Sequence, residues 1–326
     1  MPLTTLGRVE AEGIVTSELG GTRLDQVAAR LFADFSRERL KRWIACGDLR
    51  LNGATSKATA KVKVGDCLQL CTELTTDEDW HTPADLPFGV AHLSDEVIVV
   101  DKPAGLVMHP GAGVRDGTLV NGLLSRFPEL AGLPRAGIVH RLDKETSGLV
   151  LVGRTLQSHT RLVRALAARA GGRRYLVVGA GEVGTAFSVE APIARHPVLR
   201  TRMAVVAGGR PARTDVRPLA RVNGSSLLEA TLHSGRTHQI RVHLAHAGYP
   251  LLGDPVYGVA RSELSRQALH AWHLAFEDGG SPVTVASPPP PDLRAALHAW
   301  GFTAGQWADA VARRTGGGMG EHVDRA

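Results

Sequence analysis

Apolar and polar positions alternate along the chain with two periods. Leu24, Val27, Ala28 and Leu31 recur at helical spacing. Leu40 and Ile44 continue on a second helix, with Ser36 as its cap and Gly47 as its stop. A short strand at residues 49–51 runs into Asn52-Gly53, a strong hairpin signal, and Val64-Gly65-Asp66 turns the chain into a strand over 67–71. Further along, residues 97–100, 138–139, 149–152, 174–178 and 227–232 are β-branched or apolar runs of strand length. Helices are expected from a Thr155 cap to about residue 169, and over 238–247 with Thr237 as cap and Gly248 as stop. A last short helix follows the proline run 288–291.

Composition sets the boundaries between these elements. Residues 76–87 are acidic and proline-punctuated, as befits a linker, and residues 306–326 read as a polar, glycine-rich, disordered tail. The expected organisation is therefore an extension over 1–19, a small module over 20–75, the linker, a large domain over 88–305 and the tail. No apolar run is long enough to span a bilayer, and the first twenty residues lack the basic-then-apolar pattern of a signal peptide. Three cysteines without a Cys-x-x-Cys pair argue against a disulfide framework and a zinc site, which suits a reducing cytoplasm.

The formal charge is +6 and the pI about 9.6, so a polyanionic partner is allowed. Arginine rather than lysine dominates two clusters, at Arg161, Arg164, Arg169, Arg173 and Arg174, and at Arg195, Arg200, Arg202, Arg210 and Arg213. Arginine suits bidentate phosphate contacts, although a GC-rich codon bias would produce the same enrichment. Arg37, Lys41 and Arg42 lie on the outer side of the second helix.

Between the runs at 138–139 and 149–152 sits a polar loop, His140-Arg141-Leu142-Asp143-Lys144-Glu145-Thr146, closing on a Ser147-Gly148 turn. Two readings stand on the residues alone: a solvated charged hairpin, or a loop presenting catalytic groups from a rigid scaffold. The sequence His-Arg-Leu-Asp followed by Thr-Ser-Gly resembles the signature loop of RluA-type pseudouridine synthases, the large-subunit ribosomal RNA class. Asp101-Lys102-Pro103-Ala104-Gly105, Arg173-Arg174-Tyr175, the basic stretch 191–214, Gly235 to His243 and Gly253 to Gly258 follow that family's order. Residues 20–72 resemble an S-four type RNA-binding domain. The resemblance implies an α+β fold with a mixed, largely antiparallel central sheet and flanking helices, preceded by a small αβ RNA-binding module.

It also implies an isomerase acting on RNA, most simply ribosomal, without cofactor, metal or membrane, and as a monomer. Asp143 would be the nucleophile, attacking either the uracil ring or the anomeric carbon of the ribose. Arg241 would pair with that carboxylate, Tyr175 would stack on the extruded base and Arg141 would fill the space it leaves. Arg37, Lys41, Arg42, Arg202 and Arg236 would hold RNA. Lys102 and His109 are either phosphate contacts or plain surface residues. Asp101 and Asp254 are read as structural carboxylates. Four histidines, at 233, 238, 243 and 246, invite a metal, but Arg236 and Arg241 sit among them with no interleaved acid or cysteine. Two further classes compete: an RNA binder without catalysis, disfavoured by a carboxylate that would repel phosphate, and a metal-dependent nuclease using Asp143 and Glu145, which lacks the clustered carboxylates of two-metal chemistry.

Overall fold

A computed structural model describes residues 5–32, 35, 37–75, 82–110, 114, 116–168, 172–199 and 201–312. The Ser36 cap, Arg169, Arg200 and residues 76–81 and 313–326 lie outside the described residues.

The chain opens with β1 (Thr5–Ile14), α1 (Leu24–Leu31), α2 (Arg37–Cys46), β2 (Leu49–Leu51) and β3 (Cys67–Thr75). These form a three-stranded antiparallel sheet in the order β1-β3-β2. The helical spacing closes as expected, with Leu24, Val27, Ala28, Leu40 and Ile44 in one core with Leu49, Leu68 and Leu70. Residues 5–14 are a strand of this sheet, not an extension outside it. Their inward positions include Ala11 and Gly13, too small to give an apolar alternation.

The large unit begins before β4 (Gly89–Leu93) and β5 (Val97–Lys102). Residues 82–87, expected as free linker, touch α3 (Leu119–Arg126): Asn121 Nδ2 donates to the Thr82 carbonyl at 2.8 Å and Ala84 N to the Asn121 carbonyl at 3.1 Å. Two 3-10 turns then lead to β6 (Ser147–Gly153), α4 (Leu156–Ala167), β7 (Arg174–Ala180) and β8 (Phe187–Glu190). A small hairpin, β9 (Ile193–Arg195) with β10 (Met203–Val205), precedes the long pair β11 (Arg213–Val222) and β12 (Ser225–Leu232). After α5 (Gln239–His246) come β13 (Leu269–Asp278), β14 (Ser281–Ala286), α6 (Pro291–Ala299) and α7 (Ala304–Ala312). Residues 306–312, placed in the disordered tail from sequence, thus belong to a helix, and Trp307 is buried against α6.

The central sheet has nine strands, ordered β4-β5-β6-β13-β7-β12-β11-β8, with β14 branching from the far half of β13. All its pairings are antiparallel except β6 with β13. Period-two alternation decides which face each side chain covers. Ile98, Val100, Val150, Val152, Tyr175 and Val177 point towards α3 and α5. Val97, Val99, Leu149 and Leu151 meet Leu162 of α4, while Leu176 and Val178 meet α6 and Trp300. The Thr155 cap of α4 forms as expected, accepting from Ser158 N at 3.0 Å.

Two sequence expectations fail near the central loop. Residues 138–139 make only an isolated bridge, Ile138 to Val152, because the 3-10 turn before them folds back on β6. Gly137 allows that return: at its φ of +78° a Cβ would lie 2.1 Å from the Gly153 carbonyl oxygen. Ser147-Gly148 is not a turn but the start of β6, opposite His270 and Ala271. Gly148 has φ +110° and a Cβ there would lie 2.3 Å from the Ala271 carbonyl oxygen, so glycine marks close strand approach.

Candidate active site

The loop 140–146 leaves the last 3-10 turn and enters β6, and its backbone is held from Asp143 to Thr146. Leu142 is buried in the main core. Thr146 N closes a turn on the Asp143 carbonyl at 3.0 Å. The Lys144 carbonyl accepts from Gly105 N at 2.9 Å and from Lys102 Nζ at 3.0 Å. The Glu145 carbonyl accepts from Arg266 Nη1 at 3.2 Å, and Thr146 Oγ1 accepts from Gln267 Nε2 at 3.1 Å. Arg266 is fixed by Asp292 at the start of α6, at 2.7 and 3.0 Å.

Lys102 therefore fits neither of its sequence readings. Its side chain is fully buried, and Nζ also donates to the carbonyls of Pro103 at 2.7 Å and Leu106 at 2.9 Å. Burial pushes its pKa down to about 8. Three carbonyls match the three ammonium donors, so this cation stitches the 102–106 turn to the Asp143 loop. His109, by contrast, lines the cleft described below.

Asp143 faces α5. Arg241 Nη1 donates to its Oδ2 at 3.1 Å, the pairing expected from sequence. Arg241 is itself held by a bidentate pair with Asp254, Nε to Oδ2 at 2.7 Å and Nη2 to Oδ1 at 2.8 Å. Asp254 Oδ1 also accepts from Val256 N and Tyr257 N, at 2.9 and 3.1 Å. Burial opposes the charge on both partners, yet the pairing outweighs it, raising the Arg241 pKa and lowering that of Asp254. The Tyr257 ring lies under the guanidinium, 4.9 Å from its carbon.

The helix begins differently from expectation. Thr237 does not cap it; His238 does, in a left-handed conformation with φ 57°, and Gln239 Oε1 accepts from Arg236 N at 3.1 Å. That bend turns His238 towards Asp143, with Nε2 3.9 Å from Oδ1. Met203 N donates to Tyr257 Oη at 2.8 Å, and Tyr257 Oη is 2.8 Å from His238 Nδ1. This contact holds the imidazole with Nε2 on the Asp143 side. Burial lowers the His238 pKa, with Asp143 opposing and Arg241 assisting, so the ring is neutral near pH 7.

Asp143 opens onto a cleft of about 990 Å³. Arg135, Arg141, Arg173, Arg213 and Arg236 line it, against the acids Asp143 and Glu190. Arg213 is paired with Glu190 at 2.7 Å and Asp215 at 2.9 Å, whereas Arg141 is exposed beside Asp143. Tyr175 is buried at the start of β7 and borders the cleft and a smaller recess below Asp143, which Leu232, Ile240 and Leu269 complete. Burial raises its pKa, keeping the phenol neutral.

The remaining expected contacts are dispersed. Arg202 is exposed in the β9–β10 turn and does not line the cleft. Arg37 donates to the buried Asp25 at 2.6 and 3.1 Å, so its guanidinium serves the small core as well as the surface. Lys41 is half-buried and Arg42 exposed on α2. Of the four histidines, His243 is buried between Thr214 and the Ala191 carbonyl, and His233 pairs with Asp215.

Residues 96–246 match the family described as RNA pseudouridylate synthase. Over 304 residues the chain is 45% identical to ribosomal large subunit pseudouridine synthase D of Xanthomonas campestris pv. campestris, covering 88% of this chain and 92% of that protein. The chain belongs to the RNA pseudouridylate synthase family. Its relative of the same name from Pseudomonas aeruginosa is 44% identical over 295 residues, covering 86% of this chain and 92% of that one. Among solved structures, human RNA pseudouridylate synthase domain containing 1 aligns with a TM-score of 0.55 at 25% identity, over 70% of this chain and 96% of that one. The segment matched to the synthase family contains Asp143, Tyr175 and Arg241, while Asp254, Tyr257 and Arg266 lie beyond it. No helix among the described residues is long and apolar enough to cross a membrane.

Proposed function

We propose that this chain isomerises uridine to pseudouridine in large-subunit ribosomal RNA, in a reducing cytoplasm, with Asp143 as the nucleophile. The observation that carries the role of Asp143 is its carboxylate, gripped by a buried arginine at 3.1 Å, at the mouth of a cleft lined by arginines and beside a buried tyrosine. The glycosidic carbon–nitrogen bond breaks, the uracil turns and the bond re-forms to carbon. Arg241 aims the carboxylate, its Nη1 donating to Asp143 Oδ2 at 3.1 Å. Tyr175 stacks on the flipped base above the recess, whose Leu232, Ile240 and Leu269 add apolar contact; Arg141, exposed beside Asp143, fills the vacated position in the RNA stack. The names of the relatives supply the substrate class.

Residues 5–75 are read as a separate RNA-docking module of the S-four type, presenting Lys41 and Arg42 from α2, with residues 88 onwards as the catalytic unit. Arg202 and Arg236 extend the RNA surface on the catalytic side. Asp143→Asn tests the central reading. The substitution is nearly isosteric and removes the charge and the nucleophilic oxygen. Isomerisation of an unmodified transcript should vanish while RNA affinity stays within a few fold. Substantial pseudouridine formation by the variant would refute Asp143 as the nucleophile.

A further inference from the structure

Arg173 immediately precedes β7 and lines the cleft, with only 6% of its surface exposed. The other arginines buried to this degree have carboxylates: Arg241 has Asp254 and Asp143, and Arg266 has Asp292. Among the described residues Arg173 has no such partner, and its Nε–H is buried without an acceptor. Its Nη1 lies against Gly235, where a Cβ would come within 3.2 Å, so the guanidinium occupies space that the glycine leaves. Only its backbone is engaged, the carbonyl accepting from Leu232 N at 3.2 Å.

A second donor in the same cleft is also without an acceptor. His140 Nε2 accepts from Leu151 N at 3.0 Å, which places the imidazole proton on Nδ1. Nδ1 is buried with no partner. Burial, with the charge of Arg173 close by, holds the His140 pKa down to about 3, so the ring is a neutral donor at working pH. A buried guanidinium without a counter-ion is costly to the free protein, and an arriving anion offsets that cost. Asp143 is not that anion, because its oxygens face Arg241 and His238.

We propose that Arg173, with the His140 Nδ1–H beside it, forms a subsite for one phosphodiester of the bound RNA, next to the nucleotide presented to Asp143. A full charge selects a phosphate over a uracil carbonyl, and a planar guanidinium suits bidentate phosphate contact. The assignment of RNA rests on the function proposed above; the anion subsite does not.

The test combines Arg173→Met with wild-type protein. In the absence of RNA, the variant should unfold at the wild-type temperature or above it, since an uncompensated buried charge has been removed. Inorganic phosphate should raise the unfolding temperature of the wild type and not of the variant. Titrations of target RNA between 50 and 200 mM KCl should give a plot of log affinity against log salt that is shallower for the variant by about 0.7–1. In wild-type protein alone, one neutral methylphosphonate linkage, scanned across those flanking the target uridine, should weaken binding at a single position. Destabilisation of the variant with an unchanged salt slope, or a scan without a sensitive linkage while the wild type binds RNA normally, would overturn the subsite. Phosphate stabilisation in a wild type that does not bind RNA would keep the subsite and refute the RNA reading.

Discussion

Asp254→Asn probes how Arg241 is held. Asp254 is fully buried and Arg241 nearly so, and four hydrogen bonds converge on the carboxylate. An amide offers one oxygen where there were two. If that oxygen takes the Oδ1 place, it still serves Arg241 Nη2, Val256 N and Tyr257 N, but the NH₂ group then meets Arg241 Nε–H, donor against donor. The opposite flip is worse, because it sets the NH₂ against three donors. Removing one partner of a buried ion pair typically costs about 3–5 kcal/mol. At 2–4 °C per kcal/mol, this lowers the unfolding midpoint by roughly 6–20 °C.

The kinetic effect should be larger than the loss of binding. Without its bidentate anchor, Arg241 no longer fixes Asp143, and a displacement of about 1 Å can cost on the order of 100-fold in rate. Single-turnover isomerisation at saturating enzyme should therefore fall by roughly that factor, with RNA affinity close to wild type. The pH dependence has a definite sign. The Asp254 pKa is depressed in the folded protein, so its contribution is fully present above the ordinary value of 3.8 and is lost as pH falls through the folded value. The difference in unfolding temperature between wild type and variant should narrow below about pH 4. Asp101→Asn is the matched control, since Asp101 accepts from Ser287 and lies away from Arg241. An Asp254→Asn protein with normal stability and normal rate would refute the claim that Asp254 organises this site.

Lys102→Met should lower turnover while leaving RNA affinity intact, because the carbonyls of Pro103 and Leu106 lose their shared donor and the loop loosens. Its folded pKa of about 8 lies below the ordinary 10.5, so the folded state binds fewer protons between those values. Wild type should gain stability relative to the variant as pH rises through that window, and a gap independent of pH would contradict the burial argument. Tyr257→Phe keeps the ring beneath Arg241 but removes the hydroxyl that fixes His238; losing one hydrogen bond of about 1 kcal/mol should slow isomerisation about fivefold, and an unchanged rate would make the orientation of His238 irrelevant. Gly148→Ala should cost at least about 3 kcal/mol from steric overlap and left-handed strain combined, read as a lower unfolding midpoint; normal stability would show that the close approach of Ala271 can relax.

Much of the site was legible because local chemistry announces it. The contiguous His140–Asp143 stretch, Tyr175 at a strand start and Arg241 on a helix each occupy a recognisable motif. What escaped was tertiary. Lys102 looked like a surface cation because nothing local reveals that its neighbours' carbonyls converge on its amine. Asp254 was read as structural, and its bond to Arg241 depends on how the loop after α5 returns to that helix. His238 was dismissed with a metal hypothesis, since only its left-handed backbone turns it towards Asp143. Ser147-Gly148 carries a turn signal, but its positive φ serves strand packing. In the fold, continuous β-branched and apolar runs located the central strands, while β1 was missed because its inward positions include an alanine and a glycine.

The place of β13 bears on when the enzyme comes into being during synthesis. This strand sits between β6 and β7 in the middle of the sheet, yet it is made more than a hundred residues after β6. Until it emerges, β6 has no neighbour on that side, and Arg266, Gln267 and Asp292 are not yet there to hold the Asp143 loop. Pairings of such long sequence separation close late, because loop-closure entropy is lost before contacts reward it. A nascent chain halted before β13 therefore carries every residue of the His140–Asp143 motif without the strand that pairs with β6. Such a chain has the residues of the loop but not the sheet that fixes their geometry.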